Sequence, residues 1–403
     1  MSDDVPRIGL RRPEELAPRA EPGDEPGLLA LIQDEIRAAG PMTFARFMEL
    51  ALYHPTLGYY ATGRRGPGRA GDFMTAPESH PIFGWSVAAQ LEEAWDRLGR
   101  PETFTVREFG AGTGALAAGI LDGLARTGSP LRAAIRYRVA ERAPDRERQV
   151  RERLAAVDAA GALEPDDGQP IRGAVLANEV LDALPVHRVV GGAGGLLLEL
   201  FVVLSPGGAL VHEPGPPSRP ALAERLVEEG VVLAPGQVAE ICLELEGWVR
   251  RAAVGLREGL LLLIDYGHPA KRLYEPTRGS LLRAYLGHRV HDDPFRNVGR
   301  QDLTAHVDLT AVERAATTSG LRHLGTTTQA EFLAGLGIGE RLVALQADGR
   351  TDLGGYLEAR SAVMRLLDPS ATGRFAVMLF GRNLAGEPSL RGLTFRMPGR
   401  API

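Results

Sequence analysis

Apolar positions recur along this chain with two periods, one helical and one extended. From Leu28 the spacing is helical: Leu28, Ile32 and Ile36 share one face, and Gly40-Pro41 ends the helix. Thr43 stands where an N-cap is needed, and Phe44, Phe47, Met48, Ala51 and Leu52 then follow the spacing of a well-buried helix. Residues 53–81 break the pattern with glycine, aromatic and polar side chains and no sustained period. A loop of that length inside a compact chain points to function, and Tyr53, Tyr59, Tyr60 and Phe73 argue against disorder, so it is the candidate lid. A helix is predicted over 82–98, with Phe83, Val87, Leu91, Trp95 and Leu98 on one face.

Strands and helices then alternate. Residues 104–109, 135–141 and 173–178 read as strands, with helices over 114–126 and 145–155, which implies βαβ units and a parallel sheet. Residues 196–204 and 209–213, joined by Ser205-Pro206-Gly207-Gly208, predict an inserted hairpin. A helix near 220–229 and a long one from Val238 to Arg257 lead into 260–265, whose LLLLI run suits a central strand buried on both faces. A polar insertion follows over 279–310, and strands near 321–328 and 374–380 would close the sheet edge. Residues 1–27, rich in Pro, Glu and Arg, predict a disordered tail.

Composition narrows the partners. With 46 basic and 51 acidic residues the net charge is −5, which excludes a polyanion-binding surface over the whole chain and predicts no nucleic-acid partner. The apolar share of 44% and charged share of 24% rule out disorder throughout. The single cysteine, Cys242, forms no intrachain disulfide and is expected to be a packing residue; no secretory segment follows Met1, so a cytoplasmic location is expected. The longest apolar run, Leu260 to Ile264, is far below the roughly 20 residues that span a bilayer, so no membrane association is expected.

The segment Glu108-Phe109-Gly110-Ala111-Gly112-Thr113-Gly114 lies between a predicted strand and a predicted helix. Glycines let a backbone turn sharply beneath a ligand, and the helix N-terminus behind them offers free N–H groups. A nicotinamide dinucleotide would use the same loop, because Gly110, Gly112 and Ala115 satisfy its spacing. Two acids favour S-adenosylmethionine instead. Glu108 precedes the first glycine, where a carboxylate suits a cationic amino-acid group and would repel a pyrophosphate. Glu141 ends the next strand, 31 residues after Gly110, longer than the ~20 of a dinucleotide fingerprint, and is placed for ribose hydroxyls. The plain alternative is an acid that caps the next helix.

A second acidic motif, Asn178, Glu179 and Asp182, follows the next strong strand, where open parallel sheets bind ligands. There it should face the transferred methyl, with Glu179 and Asp182 orienting an acceptor; a guanidinium acceptor calls for such paired acids. The alternative is that Asn178 and Glu179 cap a helix and Asp182 is solvated. A third group, Asp302, Thr304, His306 and Asp308, falls on one face if extended, with Arg283 and His288 upstream and Tyr266 at the end of the apolar strand. Asp302, His306, Asp308 and Tyr266 are candidate substrate contacts, or else a network that pins the insertion. No metal is expected, since no second His/Cys cluster has ligand spacing.

In this order the motifs resemble the MidA-like family of class I S-adenosylmethionine-dependent methyltransferases, which includes the mitochondrial complex I assembly factor that methylates arginine. The matching stretches are 53–60 (YHPTLGYY), 71–78 (GDFMTAPE), 108–116, 177–179 with 182–185, 265–267 and 302–308 (DLTAHVD). The resemblance implies an α/β, Rossmann-like class I methyltransferase fold, a mostly parallel seven-stranded sheet with helices on both faces. It also implies a helical N-terminal extension over 28–100 and a core over 101–403 carrying insertions near 190–257 and 279–310. Thr75 and Pro77, in the GDFMTAPE stretch, are then expected at the cofactor. The expected activity is methylation of a protein side chain, arginine first. The alternatives are a small-molecule methyltransferase and a noncatalytic assembly factor retaining the cofactor fold. A protein or a small molecule is the expected partner, and the oligomeric state, a dimer included, stays open.

Overall fold

The computed structural model describes residues 23–61, 75–140, 144–157, 159–287, 289–347, 349, 351–385 and 389–397. Helix α1 (Pro26–Ala39) buries Leu28, Ile32 and Ile36, and Gly40 ends it at φ 88°. Helix α2 (Phe44–Tyr53) is capped by the Thr43 hydroxyl, which accepts from the N–H of Arg46. Part of the expected tail is ordered: the N–H of Glu25 donates to Val298 O, and Asp24 accepts from the N–H of Val298. Residues 1–22 lie outside the described residues, as do 62–74 of the candidate lid. Helices α3 (Ala76–Ser79) and α4 (Ile82–Arg97) lead into the sheet.

The core alternates as expected. It runs β1 (Phe104–Phe109), α5 (Ala115–Thr127), α6 (Leu131–Ala134), β2 (Ile135–Ala140), α7 (Pro144–Ala155) and β3 (Ile171–Asn178). Between β3 and the next core strand lie β4 (His187–Gly191), β5 (Leu197–Leu204), β6 (Leu210–Gly215), α8 (Ala221–Glu228), β7 (Val238–Ile241) and α9 (Leu245–Val254). The long helix expected from Val238 to Arg257 is therefore divided. Residues 238–241 are extended, with Ala239 and Ile241 in an apolar cluster, and pair antiparallel with β4; only 245–254 is helical. The strands β6-β5-β4-β7 form one antiparallel sheet that contains the expected hairpin.

Strand β8 (Leu256–Asp265) is buried on both faces: Leu260, Leu262 and Ile264 enter one core, Leu261 and Leu263 the other. Strand β9 (Gly267–His268) and helix α10 (Ala270–Leu273) follow, and the second insertion holds β10 (Leu282–Leu286), β11 (Arg289–His291), β12 (Asp302–Ala305) and β13 (Val307–Asp308). The chain returns to the core through α11 (Leu309–Thr318), β14 (Arg322–Thr328), α12 (Gln329–Gly335), α13 (Ile338–Ala347), α14 (Leu353–Leu367) and β15 (Ala376–Arg382).

Among the described residues the central sheet has six strands, ordered β14-β15-β8-β3-β1-β2, with β15 antiparallel to both neighbours. Beyond β2, where a seventh strand is expected, a single parallel bridge joins Tyr137 to Leu163. The polar, proline- and glycine-containing sequence after Leu163 does not continue it. Helices α4 and α5 cross closely through Gly84 and Gly119: a Cβ on Gly84 would lie 2.6 Å from Gly119 Cα. Helices α1 and α2 pack elsewhere, with Val202 of β5, Leu282 and Ala284 of β10, and Leu303 and Ala305 of β12. They and the insertions form a roof over the carboxyl end of the sheet.

Candidate active site

The glycine loop leaves β1 with Gly110, Gly112 and Gly114 at φ 65°, 56° and 80°. A Cβ on Gly110 would meet Val180 at 2.6 Å, and one on Gly114 would meet the Val150 backbone at 3.1 Å, so side chains are excluded for steric as well as conformational reasons. Ala111 is buried beneath the turn. Helix α5 starts without a side-chain cap, leaving its first N–H groups for a ligand. Glu108 is buried, and its carboxylate accepts from the Tyr137 hydroxyl, which burial keeps protonated. An open backbone, an uncapped helix start and an acid beside it fit the amino-acid end of S-adenosylmethionine. Glu141 and His288 lie outside the described residues.

The second motif forms an acid cluster in which Asp182 is buried and Glu179 half-buried. Strand β3 ends at Asn178, and Glu179 then takes φ 54°, a conformation rare outside glycine. Glu179 Oε1 accepts from Asn178 Nδ2 at 3.0 Å and from the N–H of Ala76 at 3.3 Å. Burial, with Asp182 nearby, pushes the Glu179 carboxyl up to about 8. Burial pushes Asp182 up to about 6, opposed by a hydrogen bond from Tyr266. Asp182 Oδ1 has no hydrogen-bond partner among the described residues.

Asp265, at the end of β8, organises the turn. Its Oδ2 accepts from the N–H groups of Val180, Leu181 and Asp182 at 3.2, 2.8 and 3.3 Å, and Oδ1 accepts from the N–H of Tyr266 at 2.8 Å. Burial and the neighbouring acids hold its carboxyl well above the usual carboxylate range, although these N–H donors oppose them. The sequence places Asp265 at the end of the most apolar strand and in the matching stretch 265–267, but assigns it no role. Among the described residues, those that act most strongly on the ionisation of Glu179, Asp182 and Asp265 include no arginine or lysine.

The roof closes over these acids. Tyr60 donates to Asp302 Oδ1 at 2.8 Å, Tyr53 donates to Ala183 O at 2.9 Å, and the two rings lie 5.3 Å apart. The N–H of Ala305 donates to Asp182 O at 2.8 Å. The 302–308 stripe is divided between tasks. Asp302 takes Tyr60; His306 packs against Tyr266 and His268 at 5.1 and 5.5 Å, and burial pushes it down to about 3; Asp308 caps α11. His306 and Asp308 line a small cavity with Leu181, Arg225 and Cys242, set behind the acids. Cys242 is half-buried against apolar neighbours, its thiol pushed up to about 12 by desolvation. It follows β7 and does not sit in a helix. Thr75 and Pro77 flank and open α3, whose Glu78 reaches Thr113 of the glycine loop. Among the described residues no group of three or more His, Cys, Asp or Glu forms a metal site.

Residues 86–327 match the family described as "Putative S-adenosyl-L-methionine-dependent methyltransferase". Protein arginine methyltransferase NDUFAF7, mitochondrial, of Mus musculus is 30% identical over 381 residues, covering 84% of this chain and 81% of the relative. Its Drosophila melanogaster homolog is 29% identical over 385 residues, covering 89% and 85%. A Burkholderia thailandensis protein crystallised with S-adenosyl-homocysteine is 35% identical, with a TM-score of 0.83 over 92% of this chain and 95% of that one.

Proposed function

The chain belongs to this family of S-adenosylmethionine-dependent methyltransferases, and from that premise we propose that it methylates an arginine side chain of a protein. One observation carries the choice of acceptor: a cluster of three acids walled by tyrosines, Asp182 and Asp265 buried and Glu179 half-buried, with no arginine or lysine among the described residues that act most strongly on it. Unpaired buried carboxyls are costly, and a guanidinium neutralises them while forming two parallel hydrogen bonds. Two relatives named as protein arginine methyltransferases support the same acceptor.

S-adenosylmethionine, when bound, supplies an electrophilic methyl group. Gly110, Ala111, Gly112, Gly114 and Glu108 would hold its amino-acid end, Glu141 its ribose, and Thr75 and Pro77 would flank it. Asn178 steadies Glu179, and Glu179 with Asp182 holds the guanidinium so that one nitrogen lone pair faces the methyl. Transfer of the methyl to that nitrogen would break the methyl–sulfur bond, whose electron pair would stay with the thioether, and the proton lost by the nitrogen would pass to Asp182 Oδ1, which has no partner among the described residues. Tyr266 holds Asp182 in place.

Labelled S-adenosylmethionine added to a cell extract with the purified protein tests the acceptor. Label is expected in the protein fraction and, after hydrolysis, in methylated arginine. Label confined to small molecules overturns the reading.

A further inference from the structure

Residues Thr75–Ser79 run between the two halves of the site and touch both. At one end the N–H of Ala76 donates to Glu179 Oε1. At the other, the Glu78 carboxylate accepts from the Thr113 hydroxyl and from Arg153 Nη1, at 3.2 Å to Oε1 and 3.3 Å to Oε2. The same Nη1 donates to Thr113 Oγ1 at 2.7 Å, so α3, the glycine loop and α7 meet in one closed three-residue contact. The segment is also held within itself: the Ser79 hydroxyl donates to Ala76 O at 2.7 Å, and the N–H of Ser79 to Thr75 O at 3.2 Å. A shift at Glu78 is therefore carried to Ala76.

Glu179 is where such a shift matters. Its backbone holds φ 54°, a conformation that persists only where surroundings over-determine it, and its carboxylate has two donors, Asn178 and Ala76. Among the described residues the charged groups that face it are Asp182 and Asp265, both acids. Ala76 supplies an N–H from outside β3 and its turn.

We infer that Glu78, Thr113 and Arg153 are positioning residues. They pin Thr75–Ser79 across the site so that Ala76 keeps the Glu179 carboxylate aimed at the acceptor, and they make that alignment depend on the glycine loop that holds the cofactor. The inference rests on Glu179 as an acceptor-binding group.

Arg153→Ala, Glu78→Ala and the exchange Glu78→Arg with Arg153→Glu test it. The single variants are expected to lower kcat about tenfold, to move the acid limb of the pH profile to higher pH because Glu179 loses a donor, and to leave the calorimetric affinity for S-adenosyl-homocysteine unchanged within error. In the protein without ligand, the Ala76 amide should lose its protection from hydrogen exchange while the β3 amides keep theirs, which separates a loosened strap from a damaged fold. The exchanged pair should recover part of kcat and of the Ala76 protection. Unchanged Ala76 exchange, or an unmoved pH profile, overturns the inference. Glu179→Gln separates the two readings: turnover that survives it removes the acceptor assignment, whereas turnover lost there and intact in Arg153→Ala removes the strap alone.

Discussion

Asp182 is the residue on which the proposed chemistry turns. Asp182→Asn keeps the shape of the turn and removes the proton acceptor, so kcat should fall by about 10² to 10⁴, while calorimetry with S-adenosyl-homocysteine reads unchanged affinity. The acids also set a pH dependence. Burial lifts Asp182 to about 6 and Glu179 to about 8, above their ordinary values, so both hold protons longer than exposed carboxyls as pH rises. A cationic acceptor needs the ionised forms. The ratio kcat/KM should therefore rise with pH across the window from about 6 to 8, and a flat profile there would count against these groups. Asn178, Glu179 and Asp182 were legible because residues just past a central parallel strand line the ligand crevice. Tyr60 was noticed only as part of a loop, since its partner Asp302 lies 242 positions away and no local pattern joins them.

At the scale of elements, the contact between α4 and α5 depends on glycines. Gly84→Ala would put a methyl 2.6 Å from Gly119 Cα and 2.8 Å from Ile120 N, backbone atoms that cannot turn aside. The helices must separate, and the melting temperature should fall by the equivalent of about 1–3 kcal/mol. An unchanged melting temperature would mean that the helices part freely. The LLLLI strand was readable because a run without polar interruption has no solvent face. The region 238–257 was misread because a four-residue strand next to a ten-residue helix leaves too few repeats to separate the periods. The seventh strand, reduced to one bridge, left no pattern to find.

Across the whole molecule the sheet carries the cofactor loop, and the N-terminal helices with the two insertions carry the roof. Tyr60→Phe therefore should raise the acceptor KM and leave the affinity for S-adenosyl-homocysteine unchanged; a loss of cofactor affinity would contradict this division. That the chain exceeds a methyltransferase core was legible from length and loop composition. That α1 and α2 pack on strands of both insertions was not, because Leu28, Val202 and Leu282 come together only in the folded protein.

The antiparallel strand β15 has a consequence for the order of synthesis. It pairs with β8 on one side and β14 on the other, so residues made earlier wait for residues 376–382 before the sheet is continuous. Until then a ribosome-bound chain presents the Leu260–Ile264 edge unpaired, a ready template for association with other chains. A chain ending at residue 370 should accumulate in the insoluble fraction, and adding 371–397 as a separate peptide during refolding should restore solubility. A truncated chain that stays soluble and monomeric would show that the last strand merely covers a sheet already complete.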